Sequence, residues 1–347
     1  MRFWIKTALL TMAVALMPLS GSSSLEAQDG TPTGYREYLQ TVRARAAAEG
    51  VSAATLDRVL PGLKYNARAV ALDRQQPEGN TDAPIPMFAP YRAKHVDAAR
   101  IGRGRAKYTE LRPLLQRIET QTGVPEEVML AIYGHETNYG TVTGNFNAPE
   151  VLATLAFEGR RRPLFEGELV AVLKMIDRGV PQSAITGSWA GALGKPQFLP
   201  SVYLRLARDG DGDGYADIWN SEVDAMTSIA NYLVNAGWRR DEPWGFAVSI
   251  PASLNRQAIK SNLVAPRCPR VFARHSRWMR LSEWRALGVN PIGTSPQTGD
   301  MLATLIEPDG EGKTGYLLGS NYRAILDYNC SNFYALSVGL LADAVRN

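Results

Sequence analysis

Residues 124–240 constrain the fold more than any other part of the chain. They alternate helical runs with short glycine-rich turns and hold no convincing pair of strands, so their apolar faces must be buried by helix packing. The stretch opens on Gly123-Val124-Pro125-Glu126-Glu127, a helix start with proline in the first turn and two acids at the positive end of the dipole. Upstream, Tyr35, Leu39, Val42 and Ala46 recur at three- and four-residue spacing, which predicts helix from 35 to about 60, stopped by Pro61-Gly62. Pro77, Gly79, Pro84, Pro86 and Pro90 then predict a loop-rich stretch, and residues 96 to about 122 a second helical region. Beyond Gly245 the texture changes. Residues 248–250, 301–306 and 315–318 are short, turn-bounded runs that read as strands, and 333–345 returns to helix with Leu336, Leu340 and Leu341 on one face.

Composition excludes whole classes. A chain of 347 residues that is 45% hydrophobic and 21% charged is a folded protein of two or three units, not a disordered, collagen-like or coiled-coil one. It is no multi-span membrane protein either, because only residues 8–19 are continuously apolar. Arg2 and Lys6 flank the start of that run and Gly21-Ser22-Ser23-Ser24 follows it, so residues 1–27 read as a cleavable export signal. A membrane span needs about 20 apolar residues, and no cysteine follows the run to carry a lipid. The mature chain is therefore expected outside the cytoplasm, with no membrane span. Its net charge of +4 becomes +3 once Arg2, Lys6 and Glu26 are removed, a mild excess that suits a polyanionic partner without demanding one. In an exported chain Cys268 and Cys330 can form a disulfide; two buried free thiols are the alternative, and the spacing leaves both open.

Three constellations could carry chemistry. The first is Gly134-His135-Glu136-Thr137-Asn138-Tyr139-Gly140. If residues 126–138 are helical, Met129, Ile132, Tyr133 and Glu136 share one face, which sets Glu136 at the end of an apolar stripe. Burial there disfavours the charged form, as a general acid working near neutrality requires. A carboxylate that merely caps a loop or pairs with an arginine is the bland alternative, and His135, on the other face, reads as structural. The second constellation is Gly187-Ser188-Trp189-Ala190-Gly191-Ala192-Leu193-Gly194-Lys195-Pro196-Gln197-Phe198. Its glycines let the backbone approach a ligand closely, and Ser188, Gln197 and the aromatics could bind and stack on a sugar; an ordinary turn between helices is the alternative. It lacks the Gly-Lys-Ser/Thr ending of a phosphate loop. The third is Asp209-Gly210-Asp211-Gly212-Asp213-Gly214-Tyr215, acids at loop positions 1, 3 and 5 with glycine at 6, the calcium-loop pattern. The Tyr215 carbonyl takes position 7. Position 12 is Asn220, so Glu222 or Asp224 must supply the last ligand. Arg160-Arg161-Arg162 reads as a solvated face, and nothing in the chain points to nucleic acid.

Taken in order, these segments resemble the lytic murein transglycosylases of the membrane-bound B type (glycoside hydrolase family 103-like). The resemblance is carried by residues 134–140; by Leu152-Ala153-Thr154-Leu155-Ala156-Phe157 with Arg160 and Arg161; by Phe165-Glu166-Gly167-Glu168-Leu169; and by residues 187–194 with Gln197-Phe198-Leu199-Pro200-Ser201. The acidic loop, Ile229-Ala230-Asn231-Tyr232-Leu233, Ala236-Gly237-Trp238, Tyr328-Asn329-Cys330-Ser331 and Tyr334-Ala335 complete it, over residues 35 to 346. It implies a mainly α (α+β) protein: a lysozyme-like core (117–240) with an embedded EF-hand-like calcium loop, an α domain (28–116, completed by 328–347) and a small β-containing domain (241–327). It also implies a periplasmic enzyme acting on peptidoglycan glycan strands, with Glu136 as the single acid/base. Ser188, Gln197, Phe198, Tyr232, Asn329, Tyr334, Arg160 and Arg161 fall at substrate-binding positions. Asp209, Asp211, Asp213, Tyr215 and Asp224 fall at those of a structural calcium ion, with no catalytic cofactor, and cell-wall synthesis or division proteins are candidate partners. The chain departs from the family in a segment 219–224 that is one residue longer, and in Lys195-Pro196, where smaller or aromatic residues are usual. A muramidase on the same core and a non-catalytic, calcium-braced peptidoglycan-binding protein are the competing readings.

Overall fold

The computed structural model describes residues 31–76, 85–293 and 299–346; the export signal read in residues 1–27 lies outside them. The protein is mostly helical with small sheets. It divides into two compact units, each built from two separated stretches: residues 1–81 with 143–205, and 82–142 with 206–347.

In the first unit the helix Tyr35–Ala48 buries Tyr35, Leu39, Val42 and Ala46, the four residues that set its period. It does not run on to residue 60. The chain turns at Gly50, where φ is 91°, and Ser52 caps a new helix, Ala53–Val59, by accepting the Thr55 amide. Helices Ala148–Glu158 and Arg162–Asp177 pack along each other and form the unit's apolar centre, with Leu152, Leu155, Phe165, Leu169 and Val172 at 2% exposure or less. A two-residue ribbon, Phe146–Asn147 with Thr186–Gly187, corrects the expectation of no strand pairing in this part of the chain. Strands of two residues offer no alternation for the sequence to display.

In the second unit the long helix Ala98–Thr122, capped by Asp97, and the final helix Asn332–Arg346 both pack on helix Glu126–Thr137. Helix Phe88–His95 forms where loop was expected. Pro90 sits in its first turn, where an amide needs no partner. The five-stranded sheet is antiparallel throughout, in the order Met279–Arg280, Leu302–Ile306, Gly315–Leu318, Gly245–Ser249, Asn290–Pro291. Its three longer strands are the ones read from sequence; the two edges are two-residue pairings. The core beside it centres on Trp284, fully buried, whose indole N–H donates to the Ala303 carbonyl. Cys268 and Cys330 are joined in a disulfide, their Cα atoms 6.0 Å apart, which settles the question the spacing left open. Among the described residues no helix is long and apolar enough to cross a membrane.

Candidate active site

Helix Glu126–Thr137 is buried almost all round rather than along one stripe. Only Glu127 and Glu136 among its residues escape full burial. Gly134 is required by a neighbour: a Cβ there would lie 2.5 Å from the Tyr139 ring, and one at Gly104 would lie 2.5 Å from the Tyr139 hydroxyl. That ring is folded back by two successive left-handed residues, Asn138 (φ 50°) and Tyr139 (φ 60°). The Asn138 and Tyr139 amides donate to the Gly134 and Tyr133 carbonyls, closing the helix one turn past the acid. Two non-glycine residues in this region store strain, and they hold Glu136 at a fixed helix end.

Tyrosines surround that carboxylate. The Tyr334 hydroxyl, 1% exposed, donates to Glu136 Oε1 at 2.7 Å. Burial first, then the charge of Glu136, pushes the Tyr334 and Tyr328 phenols well above their usual range, and the same two causes raise Tyr91 to about 12. All three therefore stay protonated, and Tyr334 stays a donor. Tyr91 and Tyr328 were not singled out from the sequence. Tyr328 stood in a matched motif, but Tyr91 lies in a proline-rich stretch read as loop. His135, 3% exposed, is held neutral at about 3 by burial and then by the charge of Arg100; its ring packs on those of His95 and Tyr334, the structural role expected of it.

The other expected residues are found in varied settings. Tyr232 donates its hydroxyl to the Asp327 carbonyl (2.8 Å) and carboxylate (3.0 Å), with its ring 4.5 Å from that of Tyr328. Asn329 is 5% exposed and next to Cys330 in the disulfide. In the first unit, the Ser188 hydroxyl accepts the Ala192 and Ala190 amides at 3.0 and 3.4 Å. A Cβ on Gly187 would lie 2.0 Å from the Ala192 carbonyl oxygen, so the turn needs its glycine. Gln197 (φ 50°) donates both amide hydrogens, to the Thr143 and Gly194 carbonyls. Phe198 is sealed at 0% exposure; its ring cannot stack on a sugar, which corrects the expectation that it lines a cleft with its side chain. Arg160 and Arg162 are exposed, in keeping with the solvated reading, and Arg161 is half-buried. Arg160 forks onto Asp73 at 2.7 and 2.9 Å, and Arg161 pairs with the same carboxylate, which is 4% exposed. Glu168 was overlooked as an individual residue; it is buried and accepts the Ser201 amide and hydroxyl at 2.8 Å each, at the start of helix Pro200–Leu206.

In the acidic loop the carboxylate oxygens of Asp209, Asp211 and Asp213 lie within 4.8 Å of one another. Gly214, at the turn, has φ 94°. Amides of Gly214, Gly212 and Asp213 lower the Asp209 carboxyl below its usual range. Asp224, fully buried, receives the Gly210 and Asp217 amides and so ties both ends of the loop. Glu222, the other possible last ligand, accepts instead from Tyr133 and Lys107, each at 2.9 Å.

Comparison with known proteins places this geometry. The family described as Transglycosylase SLT domain matches residues 34–343. The chain belongs to that family. As an SLT-domain transglycosylase it is 32% identical over 281 residues to membrane-bound lytic murein transglycosylase B of Escherichia coli (strain K12), covering 79% of this chain and 72% of that protein. SltB3 from Pseudomonas aeruginosa, solved with NAG-anhNAM-pentapeptide, superposes with a TM-score of 0.80 at 36% identity, over 91% of this chain and 80% of that one. The Escherichia coli lytic transglycosylase Slt35, solved with calcium, gives 0.70 at 28% identity, over 89% and 92%. The present transglycosylase is thus an enzyme of the lytic murein class, with a lysozyme-like lytic transglycosylase fold.

Proposed function

We propose that the chain cleaves the β-1,4 bond between N-acetylmuramic acid and N-acetylglucosamine in peptidoglycan without consuming water, and that Glu136 is its single general acid/base. The observation that supports this most is the Tyr334–Glu136 hydrogen bond of 2.7 Å, set among buried, protonated tyrosines in a chain of this family. Water-using glycosidases generally carry two carboxylates about the scissile bond, and the sequence offers one in an apolar setting. Glu136 would protonate the oxygen leaving muramic acid C1. The substrate's acetamido group would meet the positive charge there. The carboxylate so formed would then take the proton of the C6 hydroxyl as its oxygen bonds to C1, closing a 1,6-anhydro ring. That product class matches the anhydro sugar bound by SltB3. Ser188, Gln197, Tyr232, Asn329 and Tyr334 are the proposed glycan-binding side chains, with Arg160 and Arg161 at the flank and Phe198 packed beneath as support. Mass spectrometry of products from whole sacculi tests the chemistry. Anhydro ends are expected; reducing-end muramic acid, one water heavier, would establish a muramidase instead.

A calcium ion suits the acidic loop, whose convergent oxygens are hard donors around a glycine turn. Asp209, Asp211, Asp213, the Tyr215 carbonyl and Asp224 would hold it, as a brace for the loop and not as a participant in the reaction. At a hundredfold excess over Kd such an ion adds about 2.7 kcal/mol. Chelation should therefore lower the melting temperature by roughly 4 °C while the enzyme that remains folded keeps its turnover. A melting point indifferent to calcium would remove the site. The disulfide supports export to an oxidising compartment, in keeping with a periplasmic location.

A further inference from the structure

Arg323 stands out among the cations of the second unit. It projects from helix Ser320–Tyr328, half-buried, with its guanidinium carbon 4.0 Å from the Phe272 ring centroid and 5.1 Å from that of Trp278. Among the described residues it makes no hydrogen bond and no ion pair. Burial lowers it to about 10, and the only charge that opposes burial is that of Tyr322. A desolvated cation without a counter-ion is costly. The aromatic rings offset part of that cost, but they cannot accept the in-plane N–H bonds of a guanidinium. None of its nitrogens is both sealed from solvent and unpartnered, so its edge remains reachable.

The surroundings reinforce this. Arg274 is also lowered by burial, packs over the Phe333 ring at 5.6 Å, and makes one long contact with the Pro308 carbonyl at 3.5 Å. His275 is held neutral at about 3 by burial and then by the charge of Arg323. The region holds two desolvated cations, with Asp309 the acid that acts on Arg274. It is also tied to the catalytic segment. The strap bearing Phe272 is bound through Cys268 to Cys330, and the Asn332 side chain donates to the Val271 carbonyl at 2.9 Å and meets His275 Nε2 at 2.7 Å. Two residues on, Tyr334 holds Glu136.

We propose that Arg323, flanked by Phe272 and Trp278, is a carboxylate-binding subsite that takes an acidic group of the peptide carried by the glycan. The proposal rests on peptidoglycan being the substrate. A flat guanidinium held against aromatic rings with its edge free matches a carboxylate in two parallel bonds, and Trp278 supplies apolar surface beside it.

The test compares strands that carry their peptides with strands stripped by an amidase. Arg323→Gln should raise KM about tenfold on peptide-bearing strands, the loss of one charge-assisted pair, with kcat unchanged and stripped strands turned over as before. Arg323→Lys should recover only part of the affinity, because it keeps the charge and loses the fork; it also carries the comparison if the glutamine variant fails to fold. In direct titration the wild type should prefer NAG-anhNAM-pentapeptide to NAG-anhNAM, and the glutamine variant should not. Equal KM rises on both kinds of strand would assign Arg323 a purely structural role, and no change on either would leave the subsite unused; each overturns the proposal. Failure of the underlying reading is distinct, since the wild type would then yield anhydro ends from neither strand.

Discussion

Glu136→Gln should fold, bind glycan strands and lose turnover by roughly 10³–10⁴-fold. The amide keeps the shape of the side chain and an acceptor oxygen for the Tyr334 hydroxyl, now 2.7 Å from Oε1. It can neither deliver a proton to the leaving oxygen nor collect one from the C6 hydroxyl. Both halves of the proposed reaction run through the same carboxylate, so no change of pH should restore the variant. Tyr334→Phe makes the useful control. It removes the donor that positions Oε1 and leaves the acid itself, so a loss of up to about tenfold is expected, the worth of one hydrogen bond. The measurement is release of soluble fragments from sacculi, with thermal melting recorded beside it. A glutamine variant active to within a few-fold of wild type would dismiss Glu136 as the acid and favour the binding-protein reading.

Much of this site was legible in the sequence because short-range rules govern it. Proline and two acids announced the start of the Glu126–Thr137 helix, and the acid fell where the spacing put it. The acidic loop was legible for the same reason, since its ligand pattern is confined to a few consecutive residues. What stayed hidden depends on contacts across long separations. Asp73 meets Arg160 and Arg161 from 87 and 88 residues away, so two members of the basic run share a buried acid that no local pattern announces. Tyr334 reaches Glu136 across 198 residues; no local pattern distinguishes it from a core tyrosine, and family resemblance alone brought it forward. The Phe146–Asn147 ribbon escaped notice because two residues carry no period. Phe198 shows the opposite error: a motif position was read as an exposed side chain, whereas its backbone pairs with Leu193 and its ring is buried.

The stability of the enzyme should fall in mild acid, led by its buried histidines. The chain has three histidines, and all are 3% exposed. Burial lowers each of them; His135 and His275 come down to about 3. Folded, they are neutral, whereas the unfolded chain takes up their protons near pH 6.5. The stabilisation is thus complete above pH 6.5 and is lost progressively as pH falls toward 3, because the unfolded state binds more protons throughout that window. At pH 5 His135 and His275 should each cost about 2 kcal/mol, together a large share of the roughly 5–15 kcal/mol that holds a typical protein folded. Asp343, raised by burial to about 6, takes up its proton in the folded chain first and by pH 5 offsets about 1.4 kcal/mol of that loss; the depressed carboxyls of Asp177 and Asp300 act only below the ordinary carboxylate range, so the histidines still lead from pH 7 to 5. Melting temperatures across that range should drop by roughly 4 °C. His135→Phe keeps an aromatic ring packed on those of His95 and Tyr334, at centroid distances of 5.9 and 5.4 Å in the parent, and removes one titration. Its stability should therefore decline less steeply in acid, by about 1.4 kcal/mol per pH unit. A flat wild-type profile, or parallel curves for the two proteins, would contradict the neutral buried state. Because the His135 ring also packs on Tyr334, forcing a proton onto it should dislodge the residue that positions Glu136, and activity below pH 6 should fall along the unfolding curve.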